Sequence, residues 1–224
     1  MFDRNKWSSI IVLLIVVIVP LIFFFFFFYK SHPTTVDNVL PIYGPKRLSV
    51  GGDTIFHKVP DFKFIAHTGD TVDQTIVKNM VYVTDFFFSE CPGICVSMTE
   101  NLKKVQSEFF DAKDFMILSH TVDPETDSVP KLYKHAQHHE INSKKWLLLT
   151  GEKKELYDIA RFGYFVTAIM GDGGPDDFIH SERLILVDKE GRIRGYYDGT
   201  NDEEVEKLIK DTKSLLVSYL IPPR

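Results

Sequence analysis

Val81-Tyr82-Val83-Thr84-Asp85-Phe86-Phe87-Phe88-Ser89-Glu90-Cys91-Pro92-Gly93-Ile94-Cys95 is the stretch whose reading decides the fold. Val81 to Phe88 is rich in β-branched and aromatic residues and predicts a central strand. A helix is expected from about Pro92, because proline suits a first helical turn. Met98, Leu102, Val105 and Phe109 then recur as one apolar stripe. A strand and a helix therefore bracket Cys91 and Cys95, the only two cysteines among 224 residues. Whatever sulfur chemistry the chain performs happens at this junction.

Outward from the junction, strand and helix patterns alternate. Before it, Phe62, Phe64 and Ile65, the turn His67-Thr68-Gly69-Asp70, and Val72 and Ile76 predict a hairpin. After it, Phe115 to Leu118, Trp146 to Leu149 and Leu184 to Val187 are short apolar runs, as in strands covered on both faces. Helices are expected around Val129 to Ala136 and Leu156 to Ala160, and from Asp202 to Ser218 with Asn201 or Asp202 as cap. A tight turn, Lys189-Glu190-Gly191, leads into a last strand at Ile193 to Tyr197. Such alternation implies an α/β sheet with helices on both faces.

The N-terminal stretch is of another kind. After a short flank (residues 1–9), Ile10 to Tyr29 is uncharged and long enough to cross a hydrocarbon core of about 30 Å as a helix. It is longer than a signal-peptide core and lacks a small-residue cleavage site. An uncleaved transmembrane anchor is therefore expected. Arg4 and Lys6 precede the span, which favours a cytoplasmic N-terminus and an exported domain. Residues 30–45 read as a tether with an irregular lead-in, and residues 46–224 as the domain. The net charge of −5 argues against nucleic-acid binding, which needs a basic footprint. Two cysteines are too few for a disulfide scaffold.

If Cys91 lies at the edge of the helix and Cys95 one turn on, both sulfurs share a side. Unpaired N–H groups and the helix dipole would favour a thiolate there. An i, i+4 pair on a helix sets Cβ atoms about 5–6 Å apart, wide for a disulfide, which prefers about 3.8 Å. Two thiolates with an imidazole form a soft donor set that favours copper. The plain alternative is a pair of buried structural thiols. Among the histidines, His180 precedes a strand at the end of the Gly171–Pro175 loop. His135, His138 and His139 lie on a helix face that reads as solvated, although an i, i+4 pair of histidines can hold a divalent ion. Met98 continues the cysteine face but belongs to the apolar stripe. Asp176 and Asp177 are placed to orient an imidazole or simply to keep the loop wet.

Cys91-Pro92-Gly93-Ile94-Cys95, behind its phenylalanine-rich strand, resembles the signature of the Sco/SenC family of membrane-anchored copper proteins. The likeness extends over about residues 55–218. It takes in Thr121-Val122-Asp123-Pro124, the Trp146 to Gly151 strand and turn, Phe162-Gly163-Tyr164, and His180 ahead of its apolar strand. Val96, Ile179 and Ser181 depart from the family's usual proline, aspartate and threonine. The resemblance implies a thioredoxin-like fold with a central mixed sheet, and copper held by Cys91, Cys95 and His180. It further implies a monomeric metallochaperone on the periplasmic side of the inner membrane, delivering copper to the dinuclear centre of a cytochrome oxidase. The alternatives are a thiol–disulfide oxidoreductase, in which Cys91 and Cys95 are the catalytic pair, and a redox or copper sensor.

Overall fold

The computed structural model describes residues 14, 16–24, 40–91, 93–166 and 181–220. Two compact units emerge, Met1–Val39 and Leu40–Arg224. In the first, residues 16–24 are helical with exposed apolar side chains. No helix among the described residues is long and apolar enough to cross a membrane. Half of the expected anchor, and the tether up to residue 39, lie outside them.

The second unit is built on a seven-stranded mixed sheet in the order β4-β3-β7-β6-β5-β8-β9. The strands are β3 (Lys63–Ala66), β4 (Thr71–Asp73), β5 (Val81–Phe87), β6 (Phe115–Thr121), β7 (Trp146–Thr150), β8 (Arg183–Val187) and β9 (Ile193–Asp198). β5, β6 and β7 run parallel, while β3 and β8 join them antiparallel. Four α-helices follow in chain order: α1 (Ile94–Glu108), α2 (Val129–His138), α3 (Lys153–Asp158) and α4 (Asp202–Ser218). Pro130 sits in the first turn of α2. Asn201 caps α4 by accepting the Glu203 and Glu204 N–H groups. The turn between β8 and β9 uses Gly191 at φ +77°, a conformation that costs a glycine little.

Because side chains alternate along a strand, the sheet carries two cores. On one face Val81, Val83, Phe87, Phe115, Ile117 and Trp146 pack with the stripes of α1, α2 and α4, including Met98, Leu102 and Val105. The other face joins Tyr82, Phe86, Leu118 and Leu149 to Leu156, Ala160 and Tyr164. The helices thus cover both faces, with three on the side of α1.

The lead-in is more ordered than its prolines and glycine suggest. Lys46–Leu48 (β1) pairs antiparallel with Thr54–Phe56 (β2). Ahead of them Tyr43 bridges Ile193 on β9, the edge strand. His67, expected in a turn, is buried. Its main chain and ring both bond Leu148, through Nδ1 at 3.1 Å for the ring.

Candidate functional site

The main difference from the sequence expectation lies at the cysteines. Helix α1 begins at Ile94, with Gly93 as its cap, so Cys91 stands two residues before the cap and Cys95 in the first turn. The spacing estimate for two residues on one helix therefore does not apply. Gly93 has no side chain to satisfy the first turn. The Cys91 sulfur lies beside that turn, where the Cys95 thiol and the backbone N–H groups of Gly93 and Cys95 all favour its thiolate. Both thiols are free and half-buried.

The two sulfurs are electrostatically unequal. Partial burial opposes ionisation of Cys91, but the hydrogen bonds from the Cys95 thiol and the two N–H groups outweigh it. Its thiol is held below the ordinary value. At Cys95, burial comes first, followed by the proton shared with Cys91; the fields of Cys91 and Asp85 add to them. Together they push that thiol up to about 12, against a lowering contact with the Phe88 backbone. Of the two, Cys91 is therefore the thiol that ionises first, with the Cys95 thiol directed at it.

Two carboxylates that the sequence reading passed over support this arrangement. Asp85 projects from β5 to the α1 side of the sheet, between Val83 and Phe87 in the alternation. It is fully enclosed, accepts from the Ser119 hydroxyl, and has its carboxyl raised by burial to about 7. Ser119 is itself fixed by the Trp146 indole N–H at 2.8 Å. Asp127, in the loop before α2, is buried and accepts from the Ser89 N–H at 3.1 Å, the Ser89 hydroxyl, and the Thr121 hydroxyl at 2.6 Å. It therefore fastens the segment between β5 and Cys91. Lys131 reinforces that segment through Glu90 at 2.7 Å. The available signal for Asp85 was a lone charge inside an apolar strand, where a buried polar residue is the informative observation.

His180, Ile179, Asp176 and Asp177 lie outside the described residues. The next residue, Ser181, lines a cleft of about 540 Å³ together with Ile94, the neighbour of Cys95. The Asn101 amide of α1 reaches the Gly199 carbonyl at 2.9 Å, and the Gly199 N–H bonds Glu182. These links hold the start of β8 beside α1. Met98 is buried in the core. Val96 is half exposed on the first turn of α1. Among the described residues, no three His, Cys, Asp or Glu side chains converge as a metal site.

The sequence model of the SCO1/SenC family matches residues 53–217. A SCO1 protein homolog of Bacillus subtilis is 29% identical over 166 residues, covering 72% of this chain and 84% of its own length. The solved structure of BsSco, described as a Sco-family cytochrome c oxidase assembly protein with a disulfide switch, superposes with a TM-score of 0.61 at 28% identity. It covers 71% of this chain and 93% of that one. Copper-bound ScoI of Arabidopsis thaliana shares the fold at a TM-score of 0.56 and 23% identity, over 70% and 98% of the two chains.

Proposed function

Because the chain belongs to the SCO1/SenC family, we propose that it is a copper carrier serving cytochrome oxidase assembly. Cys91 and Cys95 supply two thiolates and His180 an imidazole. The cargo passes to the copper-bearing subunit of the oxidase by exchange of these ligands for the acceptor's own. The observation that carries this reading is the pair of free, half-buried thiols at the mouth of α1, with the Cys95 proton directed at the Cys91 sulfur. A cation replaces that proton, and both sulfurs then act as soft donors of the kind Cu(I) selects. The position of Ser181 on the cleft of Ile94 supports His180 as third donor. The uncharged run Ile10 to Tyr29 would anchor the carrier in the inner membrane with the domain on the periplasmic side.

Copper titration of the reduced full-length protein in detergent tests this, with X-ray absorption counting sulfur and nitrogen ligands. One Cu(I) per chain is expected on two sulfurs and one nitrogen, with the nitrogen and much of the affinity lost in His180→Ala. A reduced protein that takes up no Cu(I) would overturn the reading.

The inequality of the two thiols favours a second reading, dithiol reduction of the acceptor. In it the Cys91 thiolate attacks a partner disulfide, forming a mixed disulfide and releasing one partner thiolate. Cys95, having lost its proton, then attacks the Cys91 sulfur and frees the second. The partner leaves as a dithiol, and Cys91–Cys95 is oxidised to a disulfide. With Cys91 off the helix, closing that bond does not require unwinding a turn. Reduction of a partner disulfide by a protein unable to hold copper would select this reading.

A further inference from the structure

The three histidines at the C-terminal end of α2, His135, His138 and the capping His139, play no part in the chemistry above, yet two of them are arranged for ligation. The His139 N–H bonds the His135 carbonyl at 3.1 Å, so the helical turn closes through His139 and stacks the two side chains on one face. Their ring centroids are 4.4 Å apart at 45°. The buried Phe87 ring lies 5.7 Å from the His135 ring, and His138 stands edge-on to His139 at 4.8 Å. His135 and His139 are each half-buried, and their ring nitrogens have no hydrogen-bond partner among the described residues. Both imidazoles are kept neutral: burial, then the neighbouring histidine charges, lowers His135 to about 4 and moves His139 the same way.

From this geometry we infer that His135 and His139 form a second metal site that binds a borderline divalent cation, Cu(II) foremost. Two neutral imidazoles one turn apart are a bidentate donor set. Imidazole suits copper, nickel and zinc, and at a given nitrogen site copper(II) binds most tightly of the divalent series. Among the described residues no third side chain converges, so water completes the coordination and the ion stays exchangeable. The surrounding charges are mixed. Glu100 favours a cation at His139, while Lys103, which pairs with Glu100 at 3.5 Å and Glu140 at 3.2 Å, opposes it. At His135 the field of Asp127 is set against Lys131. The ring pair, rather than net charge, carries the affinity.

The test uses the full-length chain in detergent with Cys91→Ser, Cys95→Ser and His180→Ala, so that it stands whether or not the carrier reading does. Titration with Cu(II) should load one equivalent whose electron paramagnetic resonance shows coupling to two nitrogens. His139→Gln on that background should abolish the equivalent, whereas His138→Gln should keep it. Zinc protection of His135 and His139 from diethyl pyrocarbonate in the unmutated chain gives a readout free of any substitution. Cu(II) loading that survives His139→Gln, or zinc that leaves both imidazoles fully reactive, would overturn the site.

Discussion

With iodoacetamide near neutral pH, Cys91 should be alkylated well before Cys95, as peptide mass spectrometry would read out. The reason is local: three neighbouring groups favour the Cys91 thiolate, two of them from Cys95 (its thiol and its N–H), while burial holds the Cys95 thiol up. Equal rates at the two positions would show that this inequality is absent. Asp85 makes a second prediction. Its folded carboxyl titrates near 7 rather than 3.8, so the native state keeps a proton that the unfolded chain releases, and stability falls as pH rises through that window. Asp85→Asn should therefore be more stable than the parent near pH 8, by about 3–4 kcal/mol as an upper bound. The advantage should vanish as pH approaches about 4; chemical denaturation across pH would measure it. His120 acts in the opposite sense. It is enclosed by Phe62, Phe64, Phe86 and Tyr164, neither ring nitrogen has a partner among the described residues, and burial lowers it to about 3. Protonation is far easier in the unfolded chain, so stability is lost as pH falls below about 6.5. His120→Phe should flatten that acid limb. It should also stabilise the fold by about 1 kcal/mol, since a relieved unpaired polar group outweighs the slightly larger ring.

Among the elements, the loop from β5 to α1 depends on Asp127. Replacing it with alanine strands the donors of Ser89 and Thr121 and should cost about 3–5 kcal/mol, by analogy with breaking a buried charge pair. The same change should raise the Cys91 thiol, visible as a shift in the pH dependence of its alkylation, because the loop no longer holds the sulfur over the helix. Much of this frame was legible beforehand. The eight-residue run at Val81, the stripe from Met98 to Phe109 and the cap at Asn201 are local patterns, and local patterns survive folding. What escaped reading depended on contacts between distant segments. Nothing near Gly93 in sequence says that a glycine without a side-chain cap will open the helix, so the helix was expected to start at Pro92. Asp127 and Ser89 are far apart along the chain and meet only because β5 and β6 are neighbours. His67 looked like a turn residue because its partner, Leu148, belongs to another strand.

On the scale of the whole molecule, the sheet keeps the two cysteines and the lead-in segment apart. The cysteines follow β5, flanked by β6 and β8, whereas the lead-in from Leu40 lies along β9, the outer strand. Arg194 on β9 is the clasp. Nearly buried, it bonds Asp188 at 3.0 Å and donates to the Pro41 carbonyl at 3.0 Å and to that of Leu40. Asp188 is in turn bonded by Arg192 at 2.8 Å. Arg194→Ala should leave Asp188 short of one partner and cost about 3 kcal/mol, with faster amide exchange at the Tyr43 N–H that now bonds Ile193. Protection unchanged at Tyr43 would show that the bridge stands without the clasp. Mechanically, any pull arriving along the chain from residue 39 is borne first by these few bonds at the rim. Tension would release the lead-in from β9 bond by bond, at Arg194 and then at the Tyr43–Ile193 bridge, before it could strain the turn beneath the two sulfurs.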